Sequence, residues 1–347
     1  MVHSWECPTP TGTQRGEVMK KSLLFAVVLA VALAGPVPTA TQAEASLPVE
    51  GYLMAVPGAQ RYVTQNAAKI AVVGVDGVNL TKSGAKLTKV PKAAAAIVKE
   101  AHARGLKAEL LVSNYDSSIG DFSSKIAGRL LKSKKHRAAV VKSLVAKVKK
   151  GHFDGVQIDL ESLKASHAAG LTSFVKSLRK ALPARKKISM AVMSSETAGG
   201  YARSGYQLTK LTKRIDRFVL MAYDQHGPTW SNAGPVGGTP WVRQVLAAFI
   251  MAKVPRAKID LGVGEYGYTW PADGSDGASL SVAQARTLAG DRATFDALQQ
   301  EWTATLADGT VLWWADGTTF AARKALAVEQ GLHGLAVWEL SLGDPIS

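Results

Sequence analysis

The sequence of 347 residues contains a single cysteine, Cys7. That excludes an internal disulfide framework and any zinc site built on several thiolates. Its seven histidines never fall in a paired metal-ligand spacing, and His226 reads as structural, so no metal is expected. Nucleotide cofactors are excluded in the same way. "GPVGG" at Gly234 lacks the lysine of a phosphate-binding loop. "GVGEYG", Gly262 to Gly267, matches the dinucleotide fingerprint formally, but "YTWPADG" follows with an early proline and no helix to receive a pyrophosphate. Ser194 and Ser195 lie on no nucleophile elbow. No Pro/Ser-rich linker interrupts the chain after Ser46, and no repeat recurs at solenoid spacing.

Acids are scarce as well. Twenty-seven Asp and Glu stand against 42 Lys and Arg, a formal net charge of +15. The N-terminus explains where such a protein would work. "MKKSLLFAVVLAVALAG" sets Lys20 and Lys21 before an apolar run from Leu23 to Ala34, and "ATQAEAS" offers small residues at Ala43 and Ala45 for cleavage. Residues 1–18 read as an upstream tail before Met19, residues 19–45 as a signal peptide, and 46–347 as the mature barrel. The apolar run is shorter than the roughly 20 residues of a bilayer span, a retained anchor being the alternative. Export is therefore expected, to a periplasm, a cell wall or the medium. An exported chain this basic should gather at polyanions of the wall or membrane surface rather than at nucleic acid. The plainer reading is that lysines coat helix faces, as "KAAAAIVKEAHARGLK" and "VVKSLVAKVKK" suggest.

After Ser46, short β-branched runs alternate with helical patterns: "VEGYLMAV", "KIAVVGV", "LKAELLVSN", "FDGVQIDLE", "KISMAVMSS", "RFVLMAYD", "AKIDLGVGEYG" and "HGLAVWEL". Eight such runs in about 300 residues predict an α/β protein, a parallel (β/α)8 TIM barrel, with a doubly wound open sheet as its rival. The run "HFDGVQIDLES" sharpens the expectation. Val156, Ile158 and Leu160 share one parity and Gln157, Asp159 and Glu161 the other, so the two sets face opposite ways along a strand. In a barrel the apolar set lies under the helices and the acids point inward at the C-terminal end, where barrel enzymes do their chemistry. Tyr223 and Asp224 end the sixth run, Glu265, Tyr266 and Tyr268 the seventh, and Trp338 and Glu339 the eighth. Carboxylates supply acid catalysis and flat aromatic faces suit sugar rings, so a carbohydrate site is indicated.

"FDGVQIDLE" and "MAYD" together resemble glycoside hydrolase family 18, the chitinase-like barrels, whose fourth strand carries D-G-x-D-x-D-x-E and whose sixth carries M-x-Y-D. "YDQHGPTWSNAGPVGGTPWVRQVL", "LGVGEYGYTW" and "HGLAVWELSLGDP" are similar to the branch of cortex- and cell-wall-lytic N-acetylglucosaminidases. The resemblance implies a retaining hydrolysis in which the substrate's own 2-acetamido group is the nucleophile. It puts Glu161 in the proton-donor position, Asp159 beside the acetamido N–H, and Tyr223 on the acetamido group. Trp338 would floor the sugar subsite, with Gln157, Asp224, Tyr266 and Asn114 also binding substrate. Mutual repulsion should hold one of Asp159 and Glu161 protonated near neutral pH. The implied partner is an N-acetylglucosamine-containing glycan, peptidoglycan or chitin-type oligomers, without cofactor. Gln157 departs from the pattern, where the family has an acid; it is expected to hydrogen-bond Asp159. The family also includes non-catalytic carbohydrate-binding barrels, which usually lose the proton donor that Glu161 retains.

Overall fold

Each of the eight β-branched runs forms a strand, and the strands pair in chain order. They are β1 (Val49–Met54), β2 (Val72–Asn79), β3 (Lys107–Ser113), β4 (Gly155–Asp159), β5 (Lys187–Met193), β6 (Arg217–Met221), β7 (Ile259–Gly264) and β8 (Gly334–Trp338). All pairings are parallel, and β8 closes on β1, with Val49 opposite Leu335. The molecule is thus a TIM barrel. The structure, a computed structural model, describes residues 47–347; the expected tail and signal peptide lie outside the described residues.

Helices pack around the strands: α1 (Ala94–Ala103), α2 (Ser124–Lys132), α3 (Lys134–Lys150), α4 (Ala168–Ala181) and α5 (Thr239–Met251). Local chemistry sets their starts. Ser123 and Ser133 accept from the backbone N–H of Ile126 and His136, so α2 and α3 begin on serine caps that satisfy otherwise orphaned donors. The apolar parity of β4 behaves as its alternation requires. Val156, Ile158 and Leu160 are buried in the main core with Leu144, Val148, Leu171 and Phe174 of α3 and α4.

One part of the architecture is not in the sequence expectation of a plain barrel. Between β7 and β8 the chain forms a five-stranded antiparallel sheet, ordered 279–280, 267–270, 311–314, 301–305 and 294–296. Helix α6 (Val282–Ala289) covers it, followed by α7 (Gly317–Glu329), which returns to the barrel and starts on an Asp316 cap. The insertion has its own core, in which Val282, Ala285 and Ala289 meet Ala304, Leu312 and Trp314, and the indoles of Trp302 and Trp314 stack 6.0 Å apart. Asp308-Gly309 makes its central hairpin turn, with Gly309 at φ +84°, a conformation that glycine adopts without strain.

Inside the barrel the inward residues near the strand starts are charged. Arg217 of β6 donates to Glu50 (2.7 Å), Glu109 (2.9 Å) and Asp260 (2.6 Å), all buried. Burial pushes the Glu50 carboxyl up, and the Arg217 guanidinium pulls it back. Above them Tyr52, Leu111, Val219 and Ala336 form an apolar layer. Removing one partner of a buried ion cluster leaves uncompensated charge, at a cost of about 3–5 kcal/mol. Arg217→Met should therefore destabilise the fold by that order in denaturant titrations at neutral pH. The deficit should shrink toward about pH 4, where Glu50, whose carboxyl burial raises, can protonate in the folded chain. A change below about 1 kcal/mol would mean that the cluster leaves little uncompensated charge without Arg217.

Candidate active site

A cleft of about 230 Å³ opens at the C-terminal ends of the strands. Asp159 and Gln157 enter it from β4, Glu161 from just beyond, and Tyr223 and Asp224 from the end of β6; half-buried Trp338 from β8 stands at its side, tilted against Tyr52 with ring centres 5.4 Å apart. Six of the eight residues expected from sequence therefore line one cavity. Phe122, Met193, Ser194 and Met221 complete its walls.

The other two stand behind it. Asn114, fully buried at the end of β3, holds the Glu161 peptide from both sides. Its Oδ1 accepts from the Glu161 N–H (2.8 Å) and its Nδ2 donates to the Glu161 carbonyl (3.0 Å) and to Ser123 (3.1 Å). Tyr206 donates to the preceding carbonyl, Leu160, at 3.0 Å. The loop carrying Glu161 is thus fixed through its backbone, which leaves the carboxyl free for chemistry. Tyr266 is buried and donates to Asp224 at 2.5 Å, as Tyr268 does at 2.7 Å. Both of these residues position others and neither lines the cleft.

Gln157 also differs from expectation. Its amide turns down the barrel and donates to Glu50 and Ser189, each at 3.1 Å, rather than bonding Asp159. The reason is the acceptor-rich lower layer: a buried amide N–H finds a carboxylate there, as buried donors must. Gln157 therefore links the Arg217 cluster to the site.

The acids of the site share a shortage of cations. Burial, then the charge of the neighbouring Asp76, raise Asp159 to about 7. Burial, then the charges of Asp159 and Asp224, push Glu161 well above the usual carboxyl range. Asp76, on β2, is itself raised to about 6 by burial and by Glu339. A carboxyl that stays protonated near neutrality can donate that proton, which is the requirement for a general acid. Among the described residues no group of three or more His, Cys, Asp or Glu is arranged to hold a metal ion.

The insertion sheet secures the β6 end of the site. Tyr223 fits only because Gly262 and Gly237 carry no side chain: a Cβ on Gly262 would sit 2.9 Å from the tyrosine ring, and one on Gly237 2.6 Å from the Ala222 carbonyl. Glu301, buried on the insertion, accepts from the N–H groups of Val236 and Gly237 at 2.7 and 2.8 Å, and Arg323 of α7 donates to the Gly237 carbonyl at 2.6 Å. Asp76, Glu301 and Arg323 were not foreseen. The inward parity of Asp76 in "VVGVDGVN" was the available signal for it, and the alternation of "EWTAT" for Glu301. Glu265, in turn, is buried away from the cleft, and burial with Asp344 and Asp316 raises it to about 8.

The sequence profile of the Glycosyl hydrolases family 18 matches residues 60–343. The sequence is 24% identical to the uncharacterized glycosylase YvbX of Bacillus subtilis, over 93% of this chain and 95% of that one. The fold superposes on a chitinase from Chromobacterium violaceum with a TM-score of 0.76 and 28% identity, covering 86% of this chain and 95% of the other. The spore cortex-lytic enzyme SleL of Bacillus cereus shares the fold at the same TM-score with 18% identity, covering 86% and 72%.

Buried, raised carboxyls also set how stability depends on pH. Each stays protonated in the folded chain while the unfolded chain releases the proton near pH 4, so stability is full below that value and falls as pH rises through the folded pKa. Glu265→Gln should match the parent near pH 4.5 and be more stable near pH 8, removing up to about 1.4 kcal/mol per pH unit of slope. Denaturant unfolding at the two pH values measures this. Equal slopes would show that Glu265 ionises without penalty in the folded state.

Proposed function

The chain belongs to glycosyl hydrolase family 18 and is a glycoside hydrolase; on that premise we propose a retaining, substrate-assisted enzyme that cuts β-1,4 bonds after N-acetylglucosamine. The observation that carries this reading is the Asp159–Glu161 pair, two acids raised by burial, short of cations and open to a cleft that Tyr223 and Trp338 also line. Glu161 protonates the glycosidic oxygen. As that bond breaks, the carbonyl oxygen of the 2-acetamido group attacks the anomeric carbon, giving a cyclic oxazolinium and the departing glycan. Asp159 accepts from the acetamido N–H and its negative charge faces the cation; the Tyr223 hydroxyl donates to the acetamido oxygen and orients it. Water then adds to the anomeric carbon, returning its proton to Glu161 and reopening the ring. The cost of keeping Asp159 ionised falls as positive charge develops, so its stabilisation is greatest near the transition state.

Peptidoglycan is the proposed substrate, with chitin-type oligomers second; the likeness to the Chromobacterium violaceum chitinase supports the second. We also propose that the protein is exported and that its positive charge retains it at an anionic wall, on the strength of the N-terminal segment and the net charge.

General acid catalysis is worth about 10²–10⁴-fold, so Glu161→Gln should lower turnover by that order with a melting temperature no lower than the parent's. Near-parental activity would remove Glu161 from the acid role. The nucleophile is tested separately. A glycan de-N-acetylated on the non-reducing side of the scissile bond should bind and remain uncut, and a thiazoline mimic of the oxazolinium should inhibit, because it resembles the high-energy species. Cleavage of the de-N-acetylated glycan at a comparable rate would exclude the acetamido group as nucleophile.

A further inference from the structure

The excess of positive charge is not spread over the molecule. Residues 122–153 and 162–195 hold 17 of the 42 lysines and arginines and none of the 27 acids. The remaining sequence has 25 basic and 27 acidic residues, so these two runs carry the whole net charge. In the fold they are neighbours: they supply α2, α3 and α4, which pack together on one flank of the barrel.

A groove of about 720 Å³ runs between α3 and α4 on this flank. Lys134, Arg137 and Lys142 edge it from α3, and Lys176 and Lys180 from α4. Its floor is aliphatic, including Val141 and Val145, and neither an acid nor an aromatic ring lines it. Among the described residues none of the five cations has a carboxylate partner within salt-bridge distance, although other cations of the same runs do, such as Arg179 with Asp216 and Lys186 with Asp154. Five like charges brought together without counter-ions repel one another, and such an arrangement lowers its free energy by taking up an anion.

We propose that the α3–α4 groove docks a single flexible polyanion: a chain with one phosphate or carboxylate per repeat on a non-aromatic, polyol or sugar backbone. This rests on the proposed retention at an anionic wall and locates it. Three features select the occupant. Lys134 and Arg137 on one helix are three residues apart and Lys176 and Lys180 on the other four, spacings of about 5–6 Å, so each side offers a pair of charges to a linear polymer, with Lys142 further along α3. A groove of about 720 Å³ between two packed helices seats one strand and is too small for a duplex. The aliphatic floor suits C–H surfaces, whereas single-stranded nucleic acid is held by aromatic stacking, for which this groove has no platform. A flat lipid surface would meet the rims alone.

The test compares two full-length mature variants with equal charge change. One carries Lys134→Glu, Lys142→Glu, Lys176→Glu and Lys180→Glu; the other carries Lys89→Glu, Lys92→Glu, Lys99→Glu and Lys210→Glu, all of them exposed. Poly(glycerol phosphate) and polygalacturonate are the phosphate and carboxylate probes. Oligothymidylate and phosphatidylglycerol vesicles are the competing classes. The groove variant should lose at least about tenfold in affinity for one of the two polymers near 0.15 M salt, and its slope of log affinity against log salt should fall by about 3. The control should lose less than about threefold, with a slope nearly unchanged. Both should cleave short N-acetylglucosamine oligomers at the parental rate, which separates docking from the chemistry of the cleft. The corresponding Lys→Gln set, which adds no repulsion, should give an intermediate loss. Equal losses in both variants would overturn the groove while leaving wall retention standing. Failure of the parent protein to bind either polymer would overturn both, and tighter binding of oligothymidylate or vesicles would overturn the occupant.

Discussion

Closing eight alternating strands into a barrel forces every second side chain inward, and here many of those inward side chains are carboxyls. The structure manages them in two different ways. In the lower half Arg217 compensates Glu50, Glu109 and Asp260, giving charge a partner where water is excluded. In the upper half no arginine compensates the acids; burial and neighbouring acids raise Asp76 to about 6, Asp159 to about 7 and Glu161 well above the usual carboxyl range, so a proton is retained there instead. The layer of Tyr52, Leu111, Val219 and Ala336 lies between the two. A second arginine among the upper acids would ionise them and leave nothing to donate, so the proposed acid role depends on Arg217 lying in the lower layer.

The barrel was legible because its signal is redundant: eight β-branched runs, most of them separated by amphipathic helices, admit few topologies. The cleft residues of β4 and β6 were legible because the two-residue period of a strand converts directly into a face, and Gln157, Asp159 and Glu161 share one. Asn114 and Tyr266 show the limit of that argument. Both lie at strand ends, where sequence suggests contact with a ligand, yet each spends its polar atoms on another protein group. Asn114 acts on a peptide 47 residues further along, a pairing that no local pattern encodes. Gln157 misled in a related way, since its inward face was correct and its partner lay below rather than above.

The insertion was missed although Asp308-Gly309 between alternating runs is a hairpin signal. Its strands are two to five residues long, too short for periodicity to separate them from loop. Its effect on the site is nonetheless direct. Tyr268 and Tyr266 hold Asp224, and Glu301 with Arg323 grips the peptide that packs on Tyr223. One wall of the cleft is therefore shaped by a body with a hydrophobic core separate from that of the barrel.

That separation bears on how such a protein can diversify. Substitutions within the small sheet are absorbed by its own packing, so they leave the barrel's interior and the proton-holding acids of β2 and β4 undisturbed. What reaches the site passes through hydrogen bonds to the β6 loop and through the cluster in which Tyr266, Tyr268 and Trp270 pack against Tyr223 and Trp338. Drift there would move one side of the cleft by fractions of an ångström while the Asp159–Glu161 pair at the end of β4 stayed in place. The fold thus offers lineages a dial on the shape of the cleft that acts from the β6 side, apart from the acids of β2 and β4.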